Sequence, residues 1–355
     1  MNHILKKLIL FLFFIFIVFV FFCWVEIYLP LQPSDTEKRL FVIEKGEGLF
    51  EISENLQKEG LIRNKYLFNL FVFLKGAQTK LQAGEYLLSP SMNIAGIEEK
   101  IVSGDIVVHT IRILEGWNLR DIGWYFENKG MFQAEEFFEV AGFPAADYSI
   151  SSDLPKPVDF SFKYDFLRDK PKNIGLEGYL FPDTYYIKKQ NALSNKQKIE
   201  EIIKKMLDNF DKKLTKELRQ EIKRQEKTIF EIVTIASLLE KEVRTLQDKK
   251  LVSGILWKRL KNDIPLQVDA TITYITGKRS TKVSKEETQI NSPFNTYKYK
   301  GLPLGPICNP GLESILAAVY PEDSEYWYYL STPEGETIFS KTLEEHNIAK
   351  AQHLK

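Results

Sequence analysis

The stretch from Leu8 to Val25, "LILFLFFIFIVFVFFCWV", is an unbroken apolar run of eighteen residues, and no other feature limits the fold of this chain more. As a helix it covers roughly 27 Å, close to the hydrocarbon thickness of a bilayer. It is apolar on every face, unlike the striped helix of a soluble core. Lys6 and Lys7 precede the run, while Glu26, Asp35 and Glu37 follow it. By the positive-inside rule the first residues are expected in the cytoplasm and the remainder outside. A cleaved signal peptide needs a shorter apolar core and a small-residue cleavage site, yet no Ala or Gly occurs before Gly46. Phe21 and Phe22 also stand where a lipoprotein signal needs small residues before Cys23. The sequence therefore predicts residues 1–7 as cytoplasmic, 8–25 as an uncleaved single-pass anchor, and 26–40 as a linker stiffened between Pro30 and Pro33.

The 355 residues suffice for two or three folding units. Lys and Arg total 48, as do Asp and Glu, so nothing points to nucleic acid as a partner. The only cysteines, Cys23 and Cys308, are far apart in sequence, and no disulfide framework is expected. His3, His109, His346 and His353 show no metal-ligand spacing; neither a metal nor a cofactor is expected.

An internal repeat follows the linker. "VIEKGEGLFEISENLQKEGLI" (42–62) matches "RILEGWNLRDIGWYFENKGMF" (112–132), pairing Gly46 with Gly116, Ile52 with Ile122, Leu56 with Phe126 and Gly60 with Gly130. Each copy reads as a strand, a glycine turn, an amphipathic helix and a terminating glycine. Such βα units suit carbohydrate binding and plain packing equally. Gly84–Leu88 is predicted as a strand and 93–103 as a helix. Residues 145–172 read as a long loop and boundary, and 196–224 as one helical stripe. Thr228 and Glu231 form a capping box before "IFEIVTIASLLEKEV", a helix apolar nearly all round and hence central. Ile264–Gly277 reads as a strand leading into a helix. Ser292–Gly311 is a fixed irregular loop, and Glu313–Pro321 a short helix. A hairpin around "PEGE" and a last helix capped by Thr342 and Glu345 complete the chain. The fold class is α+β.

In "GLEGYLFPDTYYI" (175–187), Glu177 sits among apolar and aromatic residues. In a partly dry cleft its pKa would rise, and it could donate a proton near neutral pH. The segment alone fits an ion-paired structural glutamate at least as well. Gly175 and Gly178 are expected to let a substrate approach the backbone. Asp183 reads as a turn residue that bonds local N–H groups. No GxSxG or dinucleotide fingerprint is present.

The chain resembles the MltG-type (YceG-like) endolytic murein transglycosylases over essentially its whole length. The resemblance rests on "LQAGEYLL", "LEGYLFPDTYYI", "IASLLEKEV", "LQVDATITYITG", "SPFNTYKYKGLPLGPICNPG" and "HNIAKAQHLK" taken together. It implies a protein of the bacterial inner membrane, with a LysM-like module (41–108) and an extracytoplasmic mixed α/β catalytic domain (109–355, loop-rich over 145–172). It also implies cleavage of peptidoglycan between N-acetylmuramic acid and N-acetylglucosamine, with penicillin-binding proteins or glycan polymerases as partners. The family's catalytic glutamate falls on Glu177. Family members often carry Trp where this chain has Tyr179, which is expected to keep a sugar-stacking face. Gln267, Asp269 and Asn295 are candidates to hold the sugar, although Asn295 equally suits bracing its own loop. Glu240 is expected to pair with Lys241, with Arg244 or with a group near Glu177, and Cys308 to fill the core. The competing readings are a catalytically silent peptidoglycan-binding scaffold, and a water-using muramidase with Asp183 as its second carboxylate.

Overall fold

The computed structural model describes residues 3–105, 108–188, 193–278 and 283–353. The chain forms two compact units, Met1–Thr110 with Tyr186–Ala192 and Ile111–Tyr185 with Leu193–Lys355. The fold is mixed α/β, with one apolar N-terminal helix and small two-stranded sheets.

The first unit runs α1 (His3–Tyr28), β1 (Arg39–Ile43), α2 (Leu49–Lys58), α3 (Lys65–Leu74), β2 (Gly84–Leu88) and α4 (Ile94–Ser103). Within α1, Ile9–Tyr28 is long and apolar enough to cross a membrane, and none of this stretch is buried. β1 and β2 pair antiparallel, with Phe41 opposite Tyr86. Both side chains enter a core with Ile52, Leu56, Phe68, Val72 and Ile97. Asn64 and Asn93 cap α3 and α4 by accepting first-turn N–H groups.

β3 (Val108–Arg112) pairs with β4 (Thr184–Lys188). The second copy of the repeat then yields α5 (Leu119–Asn128), matching α2. Gly60 and Gly130 have φ of +67° and +65°, the left-handed conformation that ends a helix cheaply only at glycine. α6 (Ala134–Ala141) precedes the 145–172 segment, which holds one 3-10 turn, Asp165–Leu167. Tyr148, Phe160, Tyr164, Phe166 and Leu167 of this segment are buried. It is therefore an irregular part of the second unit's body, not a boundary.

The stripe over 196–224 is carried by two helices, α7 (Asn195–Lys213) and α8 (Lys216–Arg224). Thr215 interrupts it by accepting the Leu218 N–H and starting a new helix. The capping box of Thr228 and Glu231 opens α9 (Ile229–Glu242). Ile232 to Leu239 are all buried there, and α8, α10 (Leu246–Lys261), α11 (Asp269–Thr276) and α12 (Leu312–Val319) pack on this helix. Ile264–Val268 forms no strand, since Gln267 has φ of +55° and its N–H goes to the Thr296 carbonyl. β5 (Tyr328–Ser331) and β6 (Thr337–Ser340) form the hairpin. α13 (Leu343–His353) starts with the Glu345 N–H donating to Thr342 Oγ1. Leu354 and Lys355, which end the "HNIAKAQHLK" motif, lie outside the described residues.

Candidate active site

Glu177 occupies an irregular turn held from several sides. The Leu176 N–H donates to the Ala141 carbonyl at 2.7 Å, and the Leu180 N–H to Asn309 Oδ1 at 2.9 Å. Gly178 has φ of +89°, and a Cβ there would stand 2.5 Å from Pro306 Cβ and 2.9 Å from Val233 Cγ1. A Cβ on Gly175 would meet the Ala141 carbonyl oxygen at 2.6 Å and Gly142 Cα at 2.8 Å. Both glycines thus allow protein to pack closely on protein, not a substrate to approach, as the sequence had suggested.

The central helix α9 sets the opposite wall. Ser237 Oγ accepts the Ile307 N–H at 3.0 Å, and Cys308, fully buried as expected, lies 3.3 Å from the Ser237 carbonyl through its Sγ. This fixes Asn309, which is also fully buried. Asn309 exchanges backbone hydrogen bonds with the turn before α5: its N–H donates to the Trp117 carbonyl at 2.8 Å and its carbonyl accepts the Gly116 N–H at 2.9 Å. α11 is pinned at its start by Thr296, whose Oγ1 accepts the Val268 N–H at 3.0 Å.

These supports bring four groups together. Glu177 is 5 % exposed. The Leu119 N–H is shared between its Oε2 at 3.0 Å and Oε1 at 3.2 Å. The Tyr274 hydroxyl, on α11, donates to Oε2 at 3.1 Å, and Asn309 Nδ2 reaches Oε1 at 3.4 Å. Leu119 is the first residue of α5, so its N–H is one of those that a helix leaves without an internal partner. The Tyr274 hydroxyl accepts the Ala145 N–H at 3.0 Å, which directs its own proton to Glu177.

The electrostatics are opposed. Burial disfavours the carboxylate, whereas the hydrogen bonds from Leu119 and Tyr274 favour it; the negative charge of Asp121 adds to the upward push and Arg120 counters it. Burial dominates, and the pKa is raised to about 8. Leu119 N–H and Asn309 Nδ2 can only donate to Glu177, whereas the Tyr274 hydroxyl can also accept once the carboxyl carries a proton. Chemically, the arrangement can hold a proton at neutral pH and release it to an incoming oxygen. A second carboxyl, Glu242, is raised to about 7 by burial and then by the charge of Asp269, against hydrogen bonds from Tyr329 and the Ala270 N–H. It ends α9, and its side chain meets the first turn of α11, the helix that carries Tyr274.

The other candidates fare differently. Tyr179 is fully buried, with its ring against Phe166 and Phe210 at centroid distances of 6.2 and 5.6 Å. It therefore offers no face to a sugar. Its hydroxyl has no partner among the described residues. Tyr179→Phe is expected to leave glycan affinity unchanged and to keep or raise stability by up to about 1 kcal/mol; a fall in affinity on titration with glycan would contradict the packing role. Asn295 is also buried. Its Nδ2 donates to the carbonyls of Thr288 and Ile290, and its Oδ1 accepts the N–H groups of Tyr297 and Lys298. All its polar capacity braces the loop, so it is not a substrate contact. Gln267 is exposed and precedes α11. Asp269 is exposed and accepts the Tyr297 hydroxyl. Asp183 behaves as a turn residue, accepting the Thr184 N–H at 2.7 Å and Asn209 Nδ2 at 2.9 Å. Glu240 pairs with Lys249 at 3.4 Å rather than with Lys241 or Arg244, and accepts from the Gly311 N–H and Ser314 Oγ at the start of α12.

Together these features define a class: a mixed α/β protein with one apolar N-terminal helix and, in its second unit, the buried carboxyl of Glu177 raised well above its ordinary pKa. Comparison with known proteins narrows it. The YceG-like family pattern matches residues 41–352. The endolytic murein transglycosylase of Bacillus subtilis (strain 168) is 31% identical over 328 residues, covering 91% of this chain and 88% of that protein. The endolytic murein transglycosylase of Streptococcus pneumoniae serotype 2 is likewise 31% identical, over 351 residues; the alignment covers 91% of this chain but only 60% of that longer protein. The crystal structure of a yceG-like protein from Listeria monocytogenes superposes with a TM-score of 0.55 at 34% identity, over 88% of this chain and 99% of that one. The chain belongs to the YceG-like, MltG-type family of endolytic murein transglycosylases.

Proposed function

We propose that this chain is an endolytic murein transglycosylase anchored in the bacterial cell membrane by α1, with residues 1–7 in the cytoplasm and the remainder outside. It cleaves the bond between N-acetylmuramic acid and N-acetylglucosamine within glycan strands and leaves 1,6-anhydromuramic ends. Cleavage near the membrane would terminate growing strands, in company with glycan polymerases or penicillin-binding proteins. Residues 41–108 act as a LysM-like glycan-holding module, and Gln267 contacts the sugar.

The observation that carries this reading is the burial of Glu177, which outweighs the hydrogen bonds from Leu119 and Tyr274 and raises its pKa to about 8. Glu177 protonates the glycosidic oxygen, and the bond from that oxygen to C1 of the muramic acid breaks. The carboxylate so formed takes the proton from the C6 hydroxyl of the same sugar, whose oxygen closes onto C1. One residue serves as acid and then as base. The nucleophile is already attached to the sugar, so the large effective concentration of an intramolecular attack replaces a second protein carboxylate. The occupied oxygens of Asp183 weigh against its use as that second group. Mass spectrometry of purified glycan after digestion tests the reading: anhydro ends support it, whereas reducing ends or intact strands contradict it.

Tyr274→Phe removes a hydrogen bond that favours the carboxylate, so the pKa of Glu177 should rise above about 8. Protonated Glu177 begins the reaction, so the alkaline limb of the pH–rate profile should move upward, by about one pH unit for a hydrogen bond to a charged group. A limb that stays in place or moves to lower pH would show that Tyr274 does not tune this carboxyl.

A further inference from the structure

The outward face of α3 carries Tyr66, Leu70, Phe73 and Leu74, exposed at 71%, 42%, 65% and 74%. Their spacing places them on one side of the helix. The other side, Leu67, Phe68, Phe71 and Val72, is buried in the first unit. α3 is thus apolar on two faces, and among the described residues nothing covers the second. A helix whose polar face has been replaced by aromatic and aliphatic side chains is unsuited to water.

The neighbourhood of that face indicates its occupant. The end of α1 is clamped beside α3. The ring of Tyr28 meets Phe71 edge-on at 6.3 Å. Arg63, just before α3, donates to the carbonyls of Pro30 and Leu31 at 3.0 and 3.1 Å and stands 3.9 Å from Glu26. Asn93 Nδ2 donates to the Tyr28 carbonyl at 2.9 Å, and the Gln32 N–H to the Pro90 carbonyl at 3.0 Å. The exit from α1 is therefore fixed to the module rather than tethered by a loose linker. Tyr28 lies only about 5 Å of helical rise beyond Val25, the last residue of the apolar run. The helix that carries the exposed stripe is thus packed beside the end of that run. Trp24, Tyr28 and Tyr66 are exposed aromatics with polar tips, the residues favoured at headgroup depth.

We propose that the Tyr66–Leu70–Phe73–Leu74 face of α3 lies in the lipid interface beside α1 and seats the first unit on the membrane surface. The proposal rests on the reading of α1 as a membrane anchor and adds a second point of attachment to it. A protein partner could also cover apolar side chains. The continuity with α1 and the aromatic tips favour lipid.

The test uses the full chain with Cys23→Ala, leaving the buried Cys308 in place, in nanodiscs of phosphatidylethanolamine and phosphatidylglycerol. Nitroxides are attached singly through Phe16→Cys, Lys58→Cys, Leu70→Cys, Phe73→Cys and Leu74→Cys. Collision rates with oxygen, which partitions into lipid, are compared with those of a polar nickel complex. At 70, 73 and 74 oxygen should dominate, as at 16, and the ratio should invert at 58 on α2. If 16 reports lipid while 70, 73 and 74 report water, the proposal fails and the anchor stands. Protection of α3 from both reagents would mean a protein covers it, and would overturn the proposal too. A water-like signal at 16 would defeat the anchor itself, and the proposal with it.

Discussion

Glu177→Gln should lower glycan cleavage by about a thousandfold or more, because in the proposed reaction this side chain gives and then retrieves the proton. The amide keeps the shape of the carboxyl and can still accept from Leu119 and Tyr274, so glycan binding should persist. The same variant carries a second, independent signature. A carboxyl whose folded pKa lies above its unfolded value binds more protons when folded. Its contribution to stability is full below the ordinary value of 4.5 and is lost as the pH rises through about 8. Its full loss is on the order of 5 kcal/mol. Glutamine does not titrate. The variant should therefore melt progressively higher relative to wild type as the pH rises from 5 to 9. Parallel melting curves across that range would contradict the buried, protonated carboxyl, whatever happened to activity.

Gly178→Ala should be the most damaging substitution that leaves the chemistry formally intact. The φ of +89° places any side chain in a strained region, and the new Cβ would sit 2.5 Å from Pro306 and 2.9 Å from Val233. Val233 belongs to α9 and Pro306 to the loop anchored on Ser237, so neither can yield without disturbing the core. Strain and overpacking together should cost about 2–5 kcal/mol, a large fraction of the stability of an ordinary domain. The adjacent Glu177 should also shift from Leu119 and Asn309, so residual folded protein should turn over slowly. Denaturant unfolding and steady-state cleavage check this; a fully active variant of wild-type stability would mean that the turn is not held as described.

Much of this architecture was legible because it is local. The apolar length of α1, the glycines at 60 and 130, the hairpin around "PEGE" and the capping pairs Thr228–Glu231 and Thr342–Glu345 all act over a few residues. The prominence of Glu177 was also readable, since a carboxylate in an apolar stretch is costly unless it serves a purpose. What surrounds it was not. Leu119, Tyr274 and Asn309 come from segments distant in sequence, and no periodicity links them. Asn295 and Asn309 occupy the same Pro- and Gly-rich loop with similar surroundings. Only tertiary contacts show that the first braces the loop and the second reaches Glu177. Tyr179 was misjudged for a related reason: in an irregular turn no period of two or 3.6 tells which way a side chain points. The break at Thr215 was missed because the apolar stripe runs on through Leu214 and Leu218. Thr215 itself was the available signal, as a helix-capping residue.

The central claim is that the Glu177 carboxyl holds its proton at neutral pH. Infrared difference titration of wild type against Glu177→Gln observes that proton directly. Wild type should show a protonated carboxyl band, absent from the variant, that disappears with a midpoint near pH 8, distinct from the Glu242 band near 7 that both proteins share. A midpoint near 4.5 for the band lost in the variant would contradict it.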